Sequence, residues 1–341
     1  MIDLFVGWPA VTYISFAICT VIILFAGVRI TRLADALGKR TGIGSALFGA
    51  VLLGGTTSLP GIITSVSTAW QGYADLAVSN AVGGIAAQTT FLIFADMIYR
   101  RANLEHAAAS LENLVQCTLL IALLSIALVG LTGPDVTIFA IHPVSIILLL
   151  SYGFGLRLIS DTQHQPLWFA SKTKETKPES EISIPEGKLS ILWWKFSGYA
   201  VAIAFAGYGI GETGIAIARI TGLSETVVGT LFTSVATSLP ELVTVLFAVR
   251  MGALTLAVGD IIGGNSFDVL FLAFSDFAYQ DGSIYHATTQ DTAFILTINL
   301  LMSTVLLLGL LRRKRNGIGN IGFEGFMVLI LYALAVVVVT S

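Results

Sequence analysis

Residues 231–252 read LFTSVATSLPELVTVLFAVRMG, and residues 51–72 read VLLGGTTSLPGIITSVSTAWQG. Thr-Ser-Leu-Pro stands at 57–60 and again at 237–240, an offset of 180 residues. Sliding the chain on itself by that offset aligns 25–96 with 205–276 without a gap, and 23 of the 72 positions are identical. FAG at 25–27, TG at 41–42, LAV at 76–78, GG at 83–84 and Asp96 all meet their like in the second copy. Chance matches in apolar sequence do not keep Thr-Ser-Leu-Pro, Gly-Gly and Asp in register, so the chain carries an internal duplication.

The apolar runs around these motifs decide the class. Only 11% of the 341 residues are charged against 55% apolar, and the mean hydropathy is +0.86. A soluble domain carries about 25% charged residues, so this chain lacks the charge to cover a water-facing surface. Net charge is −3, which points to no polyanionic partner and to no nucleic acid. Cys19 and Cys117 lie in apolar runs, too few for a metal cluster and poorly placed for a disulfide. The first residues, MIDLFVGWPAVTYISF, lack the basic region of a cleaved signal peptide. Continuous apolar runs of about 20 residues are helical spans, not the alternating strands of a barrel. The expected fold is therefore an all-α integral membrane protein.

Ten spans are expected, near 9–30, 44–69, 73–98, 114–131, 136–156, 190–219, 225–249, 253–278, 291–311 and 321–340. The polar stretch 160–188 separates two sets of five. This organisation predicts an N-terminal half over 1–158, a cytoplasmic linker over 159–189 and a C-terminal half over 190–341. The loops after the odd-numbered spans, with their immediate helix flanks, hold 17 of the 18 Lys and Arg residues, and Arg219 alone falls on the other side. The positive-inside rule then puts those loops in the cytoplasm and both termini outside a cell membrane. Trp8, Trp70, Trp193 and Trp194 sit at span ends, where indoles favour the headgroup zone.

Five spans separate the copies. The number is odd, so the second copy must cross the membrane in the opposite sense, which is the inverted-topology architecture of many secondary transporters. Thr57-Ser58-Leu59-Pro60 and Thr237-Ser238-Leu239-Pro240 fall near the middle of their spans. Proline frees a carbonyl and kinks a helix, and broken backbone at that depth needs protein or water around it. Freed carbonyls and hydroxyls are hard oxygen donors suited to Na⁺ or Ca²⁺. Glu241 follows Pro240, and Asp268 lies mid-span in the next helix. Carboxylates at mid-membrane are costly and mark function, so these two are the expected cation ligands.

Asp260, two turns before Asp268, borders the expected pathway, and Glu212 is placed to line an access path. Asp96 and Asp276, at matching span ends, read as caps or hydrogen-bond acceptors for a neighbouring helix, and His142 reads as interfacial. The paired glycines 83–84 and 263–264 permit close helix approach or leave room for ions.

With those residues in place, the duplicated segment resembles the α-repeat of the calcium/cation antiporter superfamily, which includes sodium/calcium and cation/proton exchangers. The second copy, ATSLPELVTVLFAVRMG then LAVGDIIGGNSFDVLF, carries the signature with Gly264 in place of its usual serine. The first copy, TTSLPGIITSVSTAWQG then LAVSNAVGGIAAQTTF, is degenerate. The resemblance implies ion-binding roles for Thr57, Ser58 and Gln88 in the first copy. In the second it implies them for Thr237, Ser238, Glu241 and Asp268. Gln88 stands where Asn or Asp is usual, and Gly61 replaces the first-copy glutamate. The site then keeps two central carboxylates, a charge of −2 when both are ionised.

The expected activity is exchange of Ca²⁺ for Na⁺ or H⁺ by alternating access. The chain is not an enzyme, has no cofactor and handles inorganic cations; its sequence names no protein partner. An exchanger of monovalent cations and protons is the alternative within transport. A sensor or assembly protein derived from an exchanger is the alternative outside it. Nothing resembling a nucleotide loop, a zinc motif or a Ser/His pair at depth is present.

Overall fold

The computed structural model describes residues 2–41, 54–99, 102–164, 170–171, 173, 188–315 and 322–341. Among them the structure is helical, with a lone antiparallel bridge between Ile138 and Ile141. A short α1 (Ile2–Gly7) precedes α2 (Pro9–Thr41), α3 (Leu59–Trp70), α4 (Ala74–Ile98) and the short α5 (Leu104–Ala108). The first half closes with α6 (Leu111–Thr132) and α7 (Pro143–His164). The second half runs α8 (Leu189–Thr221), α9 (Glu225–Thr237), α10 (Leu239–Met251), α11 (Leu254–Asp268), α12 (Leu270–Ala278), α13 (Gln290–Arg312) and α14 (Phe323–Thr340).

Eight of the described helical segments are long and apolar enough to cross a membrane, counting α11 and α12 as one. The pair α9 and α10 makes a ninth, bent by 49° at Ser238. The expected span 44–69 lies partly outside the described residues, which show its second half as α3. Two expected boundaries move. The first span continues to Thr41, and the fifth helix runs to His164, six residues past the expected linker boundary at 158.

The core is largely apolar, and the exposed surface is apolar as well. Large apolar side chains such as Trp194, Phe205 and Leu150 face outward, where lipid would cover them. Serine, threonine, asparagine and carboxyl side chains turn inward. Many of the hydroxyls bond back to the carbonyl four residues earlier, as Thr31 does to Gly27 and Thr89 to Ile85, so these donors are satisfied within their own helices.

The duplication is visible in the packing. α2 crosses the proline of the second copy, where a Cβ on Gly27 would lie 2.5 Å from Pro240 Cγ. α8 crosses the proline of the first copy, where a Cβ on Gly207 would lie 2.8 Å from the Pro60 carbonyl. The two contacts are equivalent in the register, since Gly27 and Gly207, like Pro60 and Pro240, are 180 residues apart. Glycine is required at both, because any side chain would drive the crossing helix off the kink.

Candidate cation site

Both Thr-Ser-Leu-Pro segments break their helices at the serine. Ser58 and Ser238 precede α3 and α10, each of which has proline in its first turn, where its missing N–H costs nothing. Ahead of the second break, Val228–Thr233 form a π-helical turn, a local underwinding often found at functional sites. The close approach of α4 explains its position. A Cβ on Gly83 would lie 2.6 Å from the Thr230 Cα, so the backbones touch. In each copy the threonine donates to the carbonyl three residues earlier, Thr57 to Gly54 at 3.0 Å and Thr237 to Ser234 at 3.1 Å.

The serines turn toward the opposite copy. The Ser58 hydroxyl donates to Asp268 Oδ1 at 2.6 Å, and Gln88 Nε2 donates to Ser238 Oγ at 3.3 Å. Gln88 also donates to Asp268 Oδ2 at 2.7 Å. The result is a buried knot of four side chains, two from each copy, in which each serine is held by the other copy's residue at position 88 or 268.

Beside the knot is a cavity of about 10 Å³, room for the centre of a single water-sized sphere. Ser58, Gln88, Thr237, Ser238, Glu241 and Asp268 line it, together with Gly61, Asn80, Gly84 and Phe271. Glu241 Oε2 and Gln88 Oε1 are buried without a hydrogen-bond partner. Unpartnered buried oxygens are costly, and here they face a volume suited to one bare ion. A groove of about 290 Å³ between α2 and α10, lined by Leu24, Phe25, Val28, Arg29, Arg32 and Val243, is larger but opens on the outer surface. It holds none of the expected ligands.

Six of the seven expected ligands thus meet at one cavity. Thr57 is buried one residue away, bonded to Gly54, and does not line it. Asp260 sits beside Thr244, off the cavity. Glu212 is buried beside Tyr208, also away from it. Asp96 and Asp276 accept backbone N–H groups, from Leu104 at 2.7 Å and from His142 at 2.8 Å.

Asn80 and Phe271 are cavity residues that the sequence reading passed over. Asn80 is the mate of Asp260 at the 180-residue offset, a register that would have drawn attention to it. It donates to Ser65 Oγ at 2.9 Å and to the Gly61 carbonyl at 3.3 Å, and accepts from Thr233 at 2.8 Å. Phe271 explains how Gly61 is tolerated. A Cβ at residue 61 would lie 2.6 Å from Phe271 Cε2, so the phenyl ring takes the space that opens toward the mate of Glu241. Phe267 packs edge-on against that ring and Tyr152 edge-on against Phe267, a stack of aromatics behind the first copy's kink.

A family model described as sodium/calcium exchanger protein matches residues 11–159 and 191–341. The protein named "Putative antiporter CaxA" of Alkalimonas amylolytica is 26% identical over 311 residues, covering 90% of this chain and 93% of that one. Among solved structures, an H⁺/Ca²⁺ exchanger, CAX, superimposes with a TM-score of 0.70 at 13% identity, covering 96% of this chain and 86% of that one. The sodium-calcium exchanger NCX_Mj superimposes with a TM-score of 0.59 at 16% identity, covering 99% of both chains. At such identities the structural likeness establishes the fold.

Proposed function

The chain belongs to the sodium/calcium exchanger protein family, and on that footing we propose that it is a secondary active antiporter exchanging Ca²⁺ for Na⁺ or H⁺. The observation that carries this reading is the unpartnered Glu241 carboxylate facing, with Asp268, a cavity of one-ion size. Two carboxylates balance one divalent ion or two monovalent ones. Ser58, Thr237, Ser238 and Gln88 supply neutral oxygens around it, with Thr57 supporting the first kink. The solved relatives are named as exchangers of H⁺ for Ca²⁺ and of sodium for calcium, which supports the same pair of ion classes.

The two crossings support alternating access. α2 and α8 each ride over the other copy's proline on a glycine, so they slide with little side-chain resistance while the knot between copies stays fixed. Movement one way opens the site to one face, and movement the other way to the opposite face. The basic loops are assigned to the cytoplasm of a cell membrane and both termini to the outside, with two halves joined by the polar linker.

A second reading, exchange of monovalent cations and protons, is favoured by one observation. Phe271 fills the space beside Gly61, leaving carboxylates from the second copy alone. Gradient-driven counterflow in proteoliposomes separates the two. Ca²⁺ uptake driven by Na⁺ or H⁺ supports the first, and Na⁺ or K⁺ exchange for H⁺ with no Ca²⁺ flux supports the second. No counterflow of any cation would leave a non-transporting protein.

A further inference from the structure

The duplication continues past the ion-site helices. Residues 96–107 read DMIYRRANLEHA and residues 276–287 read DFAYQDGSIYHA, so Asp, Tyr and His-Ala recur at one spacing. Both stretches fold into the same clasp on opposite faces. Leu104 N–H donates to Asp96 Oδ1 at 2.7 Å, and Ile284 N–H to Asp276 Oδ1 at 3.2 Å. His106 Nδ1 donates to the Arg313 carbonyl at 2.6 Å, and His286 Nε2 to the Gly133 carbonyl at 3.0 Å. Residues 133 and 313 are again 180 apart.

The contents of the clasps differ. Asp276 is surrounded by donors: its Oδ2 accepts from His142 N–H at 2.8 Å and from the Ser145 hydroxyl at 2.7 Å, and Tyr285 bonds Ser145 at 3.0 Å. In the other clasp the same offsets place Glu105 for Tyr285, Glu324 for Val144 and Gly325 for Ser145. The packing confirms the correspondence. A Cβ on Gly130 would meet Tyr285 at 2.9 Å and Val144 at 3.0 Å, while one on Gly309 would meet Glu324 at 2.7 Å and Glu105 at 3.1 Å. Donors have been exchanged for carboxyls.

Asp96, Glu105 and Glu324 are each at least 95% buried. Asp96 Oδ2 and Glu105 Oε2 have no hydrogen-bond partner. Among the described residues the surrounding charge does not balance them. From α13 and the residues after it come Arg312, Arg313, Lys314 and Arg315, of which Arg312 approaches Glu324 Oε1 at 3.8 Å from a half-exposed position. Arg313 instead donates to the carbonyls of His106 and Ser171. Tyr99 follows α4 and Glu112 lies in the first turn of α6, while α11 meets this region at the Thr255 carbonyl, through Asn113. Among the described residues one partial counter-ion faces these three buried carboxylates, and burial together with like charge favours the neutral acid at Glu105. Burial pushes the Glu105 carboxyl up to about 7, and the charge on Glu324 adds to it.

We propose that this clasp is a proton-binding site, in which Glu105, packed beside Asp96 and Glu324, holds a proton exchangeable with water at the basic face. Among the described residues no three acid, His or Cys side chains are arranged to hold a metal, and a proton needs no coordination sphere. The site stands apart from the mid-membrane cavity and does not depend on it.

Infrared difference spectra of the purified full-length protein, taken across about pH 5 to 9, test it. They are recorded in a Glu241→Gln/Asp260→Asn/Asp268→Asn parent, so that these three membrane-buried carboxyls are silent. The parent is expected to show the carbonyl stretch of a protonated carboxyl, lost as pH rises through about 7. The component that titrates near 7 is lost in Glu105→Gln and in Glu105→Tyr/Glu324→Val, the second of which carries the opposite clasp's residues and so has a precedent for folding. A parent without the band, or a band unchanged in whichever of these variants folds, overturns the proposal. A failed transport assay of the mid-membrane site would leave this result untouched.

Discussion

Gln88 and Asp268 occupy the same position of the two copies and are hydrogen-bonded to each other at 2.7 Å. Two residues related by a pseudo-twofold can touch only where the axis passes between them. The contact therefore marks the point at which the inverted halves share one site. It also shows what the halves do not share: one contributes a carboxylate there, the other an amide that donates to it.

Making the pair symmetric should strengthen divalent binding. Gln88→Asp raises the formal charge of the site from −2 to −3 and removes the donor that now occupies Asp268 Oδ2. Ca²⁺ affinity, measured by equilibrium binding at alkaline pH, is expected to rise by at least about tenfold, or about 1.4 kcal/mol. A fall in affinity would mean that the amide itself is an indispensable ligand.

Restoring a carboxylate at residue 61 should fail alone and succeed in combination. Gly61→Glu places its Cβ 2.6 Å from Phe271 Cε2, and overpacking of this kind typically costs about 1–3 kcal/mol. The single variant is expected to unfold at lower temperature with no gain in affinity. Gly61→Glu/Phe271→Ala makes room for the side chain and should bind Ca²⁺ more tightly than the wild type. Equal gains in the single and double variants would show that Phe271 does not guard the position.

The glycine crossings predict a separation of binding from transport. Gly27→Leu wedges a side chain against Pro240, and Gly207→Leu wedges one against the Pro60 carbonyl. Counterflow in proteoliposomes should fall by at least about tenfold in either variant while equilibrium Ca²⁺ binding persists. Transport at the wild-type rate would rule out sliding of α2 and α8 over the kinks.

Glu105 makes stability depend on pH in a stated direction. Its carboxyl is raised from 4.5 to about 7 in the folded protein, so the folded state binds more protons than the unfolded chain between those values. Stability then falls as pH rises through that window. The thermal midpoint of the wild type should drop from pH 4.5 to beyond 7 more steeply than that of Glu105→Gln. Parallel profiles would mean that Glu105 titrates alike in both states.

Much of this was open to inspection in the sequence because helices in lipid obey few rules. Apolar runs of fixed length, the Lys/Arg asymmetry and the 180-residue register together describe the spans and bring Glu241, Asp268, Ser58 and Gln88 to one depth. Side-chain competition for space was not legible. Nothing in the register says that Phe271 fills the volume beside Gly61, or that Thr57 turns back on Gly54 rather than toward the cavity. The bend at Ser238 was readable from Pro240, but the π-helical turn at Val228–Thr233 depends on how closely Gly83 lets α4 approach. The clasps could have been found by extending the alignment eleven residues beyond Asp96 and Asp276. Their difference in charge, however, acquires meaning only when Glu324, far away in sequence, is seen packed beside Glu105 over Gly309.

The central claim is that one cation rests between Glu241 and Asp268. Equilibrium Ca²⁺ binding to the purified protein, compared between wild type and Glu241→Gln, tests it most directly. One saturable Ca²⁺ per chain in the wild type and none in the variant is the predicted result. Undiminished binding in Glu241→Gln would contradict the account.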